Sequence, residues 1–462
     1  MDLKNTGAMA AAAVESQDHT TDIVPLSERR GPVTLGLLWI TMVTGFPSVL
    51  AGFDWWREGL TITQVLWCTI LSSAIMLAYT IPACMLGATS GQTYGLLSRK
   101  LFGRIGCLIV SLNVSWISLG WYGLTAYFLA DGIKGVYNLP IDTMWLSAIF
   151  AFAMAFNNLF GFSGVAAFAG YLAAPVLILW VGISFVKATV ACPASVFHAQ
   201  PHVATAHALT LVSAFVIGYG AWGNEQDYWR YAKPRLSFTV IPLLVAIGIG
   251  QIVFPLTGWM LARLTGVTNY AAASALMTRY AFGGATIIAA LVLFVTYCAL
   301  NDANLYAAIN GIANLKQFHR KKLALTLTVL GAIVAAGLSR WSRSFEAVAS
   351  LSSTILPCAT VVMIAEWYVL AKFVNRKPDF TVVPDLSALP VVRWSAVIAL
   401  AVGSAVGLLT AGIIPGLEKL QVGVCSLQAW LASFIVYMIL RPLEMMAETP
   451  ITGEKSEMSR GC

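Results

Sequence analysis

The sequence predicts an all-α polytopic membrane protein with twelve transmembrane helices, ten of them forming two inverted five-helix repeats. Three observations carry that expectation. Hydrophobic residues fill 58% of the 462 positions and charged residues only 11%, against roughly 25% charged in a soluble globular chain. Apolar runs of about 20 residues, each long enough to cross a bilayer, recur along nearly the whole chain, and the mean hydropathy is +0.77. The runs interrupted by helix-breaking residues are the first and the sixth. Equivalent positions five helices apart are expected where the discontinuous helices of inverted repeats meet at the bilayer midplane.

Residues 1–31 read as a disordered cytoplasmic tail. Ala8–Val14 is too short and too weakly apolar for a signal peptide, and the polar stretch Glu15–Arg30 follows it. Span 1 runs from about Val33 to Phe53, broken at Gly45–Phe46–Pro47, where proline removes a backbone donor and glycine eases the bend. Span 2 covers Thr61–Leu86. A basic loop, Ser98–Arg104, leads into span 3 at Ile105–Ile133. Spans 4 and 5, Met144–Phe162 and Val165–Val186, complete the first repeat, about 33–187. A polar loop then carries His198, His202 and His207, whose spacing is not that of a helical metal motif, and no metal is expected. Span 6 holds the second break. Spans 7 to 10, at Phe238–Leu261, Ala281–Ala313, Leu323–Leu338 and Phe345–Phe373, complete the second repeat, about 207–373. Spans 11 and 12, Val391–Ile414 and Val424–Leu440, lie outside the repeats, and 443–462 reads as a second cytoplasmic tail.

Charge sets the orientation. With the N-terminus in the cytoplasm, 20 of the 28 Lys and Arg fall on the inner side. The outer eight are Arg57, Lys134, Lys187, Arg263, Arg279, Arg340, Arg343 and Lys419. That bias is the positive-inside signature; it favours twelve spans over eleven and places both termini at the cytoplasmic face of a plasma (inner) membrane. The net charge of +7 sits in short loops, so no nucleic-acid partner is expected. None of the eight cysteines forms a CxxC pair, and most lie inside apolar runs as small core residues.

The second break is the chemically dense one. Gly218, Gly220 and Gly223 stand within six residues, each costing about 1 kcal/mol relative to alanine in a helix, and Asn224, Glu225, Gln226 and Asp227 follow directly. A broken helix survives in lipid only where it is buried in protein or lines a cavity, and a membrane-embedded acid is a functional-site candidate by default. The stretch reads as half of a substrate site in a transporter.

Five further stretches fall in a fixed order. Gly87–Ala88–Thr89–Ser90–Gly91 is followed by Leu96–Leu97–Ser98–Arg99 and Leu101–Phe102–Gly103. Span 3 carries Leu119–Gly120–Trp121–Tyr122–Gly123, and span 6 ends Asp227–Tyr228–Trp229–Arg230–Tyr231. Span 8 carries Asn301–Asp302–Ala303–Asn304–Leu305–Tyr306. Span 10 carries Ile355–Leu356–Pro357 and Ile364–Ala365–Glu366–Trp367–Tyr368. From about Gly31 to Leu440 the chain resembles the nucleobase:cation symporter family, most closely its cytosine/purine permease branch.

The resemblance implies a LeuT-type 5+5 inverted repeat. It also implies a secondary active, cation-coupled permease that imports a nucleobase by alternating access, the bundle of spans 1, 2, 6 and 7 rocking against spans 3, 4, 8 and 9. A planar heterocycle presents two π faces and a polar rim, which suits an aromatic on each face and amides at the edge. The resemblance assigns one face to Trp121 and the other to Trp222 or Tyr219. Phe46 at the first break and Gln226 at the second join the expected substrate set. Asn301 and Asn304 are one turn apart and share a helix face. The resemblance favours Asn301, since Asn304 stands one residue from the family's second asparagine, and an interhelical hydrogen-bond clamp is the alternative for the pair. Asp227 and Arg230 have the spacing of a helical ion pair, structural or gating in role.

One departure bears on coupling. Sodium-coupled members use carbonyls of the first break and hydroxyls of span 8, as suits a hard cation, but Ala299–Leu300 stand where those hydroxyls are expected. Glu225, a carboxylate in a low-dielectric cavity, suits a proton carrier, with Asp302 as the competing candidate. A co-transported proton is therefore favoured over sodium, and no cofactor is expected. The expected substrate is a nucleobase such as cytosine or a purine, or a related planar heterocycle. The alternatives are an amino-acid or amine transporter of the same fold, or a related permease for allantoin, hydantoin or a vitamin precursor. No paired His/Asp or Ser/Lys constellation at helical spacing suggests an enzyme.

Overall fold

A computed structural model of the protein describes residues 18–448, apart from 268–269, 317, 342 and 376–377. Of the expected tails, 1–31 and 443–462, residues 1–17 and 449–462 lie outside the described residues, with Cys462 and the basic residues Lys4, Arg376, Lys377, Lys455 and Arg460, while 443–448 continue the last helix, Cys425–Glu448. Every regular element among the described residues is a helix. Among the described residues the only β contact is an isolated bridge between Arg30 and Ala232.

Among the described residues, eight helices are long and apolar enough to cross a bilayer, and the bent pair Pro32–Val43 and Phe46–Arg57 makes a ninth. One of the eight, Thr143–Ala191, has 49 residues. At 1.5 Å per residue it would be roughly 74 Å long, more than twice a hydrocarbon core of about 30 Å. It is interrupted after Thr143–Ala153 by the 3₁₀ turn Phe156–Phe160 and by Gly161 at φ 66°, and so supplies both span 4 and span 5. The shorter apolar helices Thr205–Gly220 and Trp394–Thr410 stand where spans 6 and 11 are expected. Each expected span thus has a helical counterpart.

Local chemistry explains the helix ends. Pro32 opens span 1 at a first-turn position, where its missing N–H is harmless. Pro47 likewise lies in the first turn of Phe46–Arg57. It therefore begins the second half of the span instead of kinking a continuous helix, and the break itself is Thr44 and Gly45, with the halves 46° apart. Span 2, Ile62–Ser90, starts on a capping box. Gln64 N–H donates to Thr61 Oγ1 (3.2 Å) and Thr61 N–H to Gln64 Oε1 (3.1 Å).

Three expectations are corrected. The stretch Ser98–Arg104 is not a loop. It belongs to a 44-residue helix, Tyr94–Tyr137, that turns at Gly103 (φ 74°). Its first N–H groups are satisfied by Thr93, which accepts from Leu96 N–H (3.1 Å), and by Asp227, which accepts from Tyr94 N–H (2.9 Å). The second partner is 133 residues away in sequence. Second, a helix at Tyr270–Phe282 stands between spans 7 and 8, and span 8 begins at Thr286 after Gly283 and Gly284, both at positive φ. Third, residues 18–30 are not a loose tail: Asp18 and Arg29 are buried, Val24 N–H donates to Gly91 O (2.9 Å), and Arg30 N–H donates to Tyr231 O (2.6 Å).

The interior holds two apolar clusters. One includes Trp39, Trp229 and Tyr437; the other includes Phe46, Trp180 and Leu293; Trp121 packs against both. Spans 1 and 7 meet where Gly52 faces the backbone of Pro255 and Trp259, and Gly258 faces Val49 O. Any side chain there would collide with backbone, and small residues are what allow such approach between membrane helices. The seven described cysteines are free, six of them buried. His198, His202 and His207 are exposed.

Candidate functional site

The site is built around the span 6 break. The helix Thr205–Gly220 stops and Gln226–Trp229 resumes after residues 221–225. Gly223 has φ 86°, a conformation that favours glycine, and it packs against Leu356 and Pro357 of span 10. Its carbonyl accepts from Thr360 Oγ1 (2.5 Å). The side chain of Glu225 turns back on the break. Its Oε1 accepts from Trp222 N–H (2.9 Å) and Gly223 N–H (3.1 Å), and its Oε2 accepts from Tyr79 Oη (3.0 Å) of span 2. The carboxylate thus replaces the helical partners that two backbone donors lost, and hydrogen bonds to a charged acceptor are roughly twice as strong as neutral ones.

A narrow cavity opens beside this break, between spans 3, 6, 8 and 10. Of the residues expected to bind substrate or form the break, Trp121, Tyr219, Trp222, Asn304 and Gly218 line it. Trp121 and Tyr219 meet edge to face, with ring centroids 6.0 Å apart. Tyr219 also stacks on Phe215 at 5.3 Å. Trp222 makes an edge-to-face contact with Tyr228 at 5.8 Å. Asn304 donates to Asn301 Oδ1 (3.4 Å). Gly45 faces the hydroxyl of Tyr219 and the side chain of Leu300, which places the span 1 break directly behind the cavity wall.

Other expected members lie elsewhere. Phe46 is fully buried and stacks on Trp180 at 5.7 Å, within the apolar cluster shared with spans 5 and 8. Asn301 is not in the lining: its Nδ2 donates to Tyr122 O (3.0 Å) and to Met154 Sδ (3.0 Å), so it clamps span 8 to spans 3 and 4. Gln226 donates to Thr360 Oγ1 (3.1 Å). Gly220 abuts Met76. Asp302 turns to the link between spans 4 and 5, accepting from Asn157 Nδ2 (2.7 Å) and Asn158 Nδ2 (3.3 Å).

The expected Asp227–Arg230 side-chain ion pair is replaced by two separate roles. Asp227 caps Tyr94 and accepts from Asn224 Nδ2 (2.9 Å). Arg230 Nε donates only to the Asp227 carbonyl (3.2 Å), while its Nη atoms reach Asp18 O (2.7 Å), Tyr306 Oη (2.7 Å) and His19 O. The physical reason is that both groups are buried and each finds partners outside its own turn. Asp18 completes this cluster by pairing with Arg320 and accepting from Phe162 N–H (2.9 Å).

Several lining residues were not nominated individually, although Ala221 and Asn224 lie in the stretch read as half of the site. Ser118, Ala221, Asn224, Leu300, Ser352 and Leu356 complete the lining. Ser118 was detectable one turn before Trp121, on the same face. Tyr79 and Asp18 carry no local signal, since their partners are more than a hundred residues away, and Ser352 lies outside every motif the sequence offered. The span 8 position preceding Asn301 does carry Ala299 and Leu300, and Thr296 Oγ1 is spent on Leu293 O (3.1 Å).

Comparison with known proteins agrees with this architecture. Residues 24–436 match the family described as permease for cytosine/purines, uracil, thiamine, allantoin. The cytosine permease of Escherichia coli K12 is 24% identical over 426 residues, covering 91% of this chain and 93% of the relative. Among solved structures, the nucleobase-cation-symport-1 family transporter Mhp1, closed with bromovinylhydantoin bound, superposes with a TM-score of 0.71 at 17% identity, covering 94% of this chain and 96% of that one. Inward-facing Mhp1 gives 0.68 at 15% identity, with 92% and 93% covered. A Na⁺-coupled sialic acid symporter gives 0.62 at 13% identity, with 93% of each chain covered. These likenesses show the fold to be of the LeuT type, and the family match shows a multi-pass membrane permease, not an enzyme. The chain belongs to the cytosine/purine permease family of nucleobase:cation symporters.

Proposed function

We propose that the protein imports a nucleobase such as cytosine or a purine, or a closely related planar heterocycle, and that the cavity bounded by Trp121 and Trp222 binds it. The composition of the cavity wall carries this reading. Two indoles, a phenol, two carboxamides and two hydroxyls line it, with no carboxylate, ammonium or guanidinium among the described lining residues. That set suits an uncharged, flat, hydrogen-bonding ligand and offers nothing to neutralise the two charges of an amino acid. Trp222 is the better second wall, because one flank of Tyr219 is already covered by Phe215. Asn304 is the rim amide. The names of the bacterial relative, cytosine permease, and of the hydantoin-bound fold neighbour support the same ligand class.

The coupling ion in this reading is a proton, carried by Glu225, with Asp302 as the competing carrier. Both carboxylates are fully buried, and only Glu225 bonds directly to a residue of the cavity wall. Both termini lie on the cytoplasmic side of the plasma membrane, as the distribution of Lys and Arg supports. Uptake into proteoliposomes under separately imposed proton and sodium gradients tests the reading. Accumulation of chemically unchanged cytosine or purine under an inward proton gradient is expected. Strict sodium dependence without a proton response refutes the coupling, and competition by amino acids but not by bases refutes the substrate class.

A further inference from the structure

Span 12 lies outside the two repeats, yet it reaches the cavity wall through a series of side chains. The ring of Trp430 stacks on Tyr79 of span 2, with centroids 4.5 Å apart and planes 28° from parallel. Its indole N–H donates to Ser353 O of span 10 (3.0 Å), so the indole is held on both sides. Tyr79 donates its hydroxyl to Glu225 Oε2, and the other oxygen of that carboxylate holds the N–H groups of Trp222 and Gly223. Trp222 is a wall of the cavity. All three supporting side chains are buried.

Tyr79 also belongs to a wider face. Ser72, Met76, Tyr79 and Gly87 recur at helical spacing on span 2, and all four touch span 6. Ser72 Oγ lies 2.7 Å from Ser213 Oγ, Met76 abuts Gly220, and Gly87 abuts the backbone of Gln226. These contacts hold span 2 against both halves of span 6 without any part played by Tyr79. Of the four, only Tyr79 makes a directed bond to the group that organises the broken segment. An interaction of that kind sets an orientation instead of a separation.

We propose that Tyr79, locked in place by Trp430, is a positioning residue for the substrate. It acts through Glu225 to set the backbone of the span 6 break, and with it the indole of Trp222. The proposal rests on the cavity being the substrate site. No role in proton transfer is required of Tyr79.

The test is the concentration dependence of cytosine and adenine uptake into proteoliposomes without an imposed ion gradient. Tyr79→Phe keeps the ring and its stack on Trp430 and loses only the hydroxyl. Its half-saturating concentration is expected to rise about ten-fold, in line with losing a hydrogen bond to a charged group, while the maximal rate per transporter stays within about two-fold. Glu225→Gln is expected to raise it less than Tyr79→Phe does, because the new carboxamide still accepts from both backbone N–H groups and can donate to the Tyr79 oxygen. Trp430→Ala moves the same quantity in the same direction by about three-fold, and it carries the test if Tyr79→Phe accumulates poorly. Wild-type uptake with an unmoved half-saturation in Tyr79→Phe, or a loss confined to the maximal rate, overturns the positioning role alone. Wild-type vesicles that retain neither base overturn the substrate reading, and the proposal with it.

Discussion

The break in span 1 consumes two residues, Thr44 and Gly45, whereas the break in span 6 consumes five, 221–225. The short break orphans little. Val43 O accepts from Gln251 Nε2 of span 7 (2.9 Å) and from Ser48 Oγ (3.4 Å), and Gly45 O accepts from Ser48 N–H (3.0 Å). All of these partners are neutral. The long break frees more backbone than neutral side chains cover here, and a carboxylate from within the break takes two of its N–H groups at once. The anchors differ in place as well. Span 1 is tied to span 7, a neighbour in the same moving bundle that the family resemblance implies. Span 6 is tied to span 2 of the same bundle through Tyr79, but also to span 10 outside it through Thr360 and Leu356. Of the two breaks, the longer one takes a charged brace and is held by two further helices.

Four substitutions separate the two braces, in descending order of expected effect. Glu225→Ala leaves two N–H groups and a phenol without an acceptor, each worth about 1–3 kcal/mol when buried and unsatisfied. A stability loss of about 3 kcal/mol or more is expected, read as a large fall in thermal unfolding temperature and loss of uptake. Gly223→Ala places a side chain at φ 86° and against Leu356, a strain of roughly 1–3 kcal/mol, read by the same unfolding measurement. Gln251→Leu removes one neutral hydrogen bond at the span 1 break, for a loss of about 1 kcal/mol. Equal falls in unfolding temperature for Glu225→Ala and Gln251→Leu would erase the distinction drawn between the breaks.

The smallest stability effect is expected for Gly45→Ala. Gly45 has φ −92°, open to any residue, so the added methyl strains no backbone. It displaces the Tyr219 hydroxyl at the cavity wall and crowds a Leu300 methyl and the Pro47 ring. A stability change below about 1 kcal/mol is expected, together with a few-fold weaker half-saturation for cytosine uptake. A large fall in unfolding temperature with unchanged half-saturation would show that the first break is braced through this glycine and does not shape the cavity.

The position of both breaks was legible because glycine and proline act on their own residue and its immediate neighbours. Trp121, Tyr219, Trp222 and Asn304 could be nominated for one site through the family resemblance that the motifs carry. The resemblance favoured Asn301, whereas Asn304 lines the cavity; the two share a face and differ by a modest rotation of span 8. Tyr122 and Met154, packed on that helix, decide the rotation by claiming Asn301. Asp227 and Arg230 had the spacing of an ion pair, but spacing allows a contact without requiring it, and better partners at Tyr94, Asp18 and Tyr306 separate them. The helix at Tyr94 was hidden because its start is capped from span 6.

By itself the sequence determined that this chain lives in a bilayer, where its long apolar spans lie and where two of them break. Those properties follow from apolar length matched to membrane thickness and from residues that cannot propagate a helix. Only the tertiary structure decided which polar side chains face the cavity, that Glu225 braces the break it sits in, and that Tyr79 and Trp430 stand behind it. Buried donors and acceptors must each find a partner. In a helical bundle that partner is chosen by how the helices pack, across distances in sequence over which no local pattern extends.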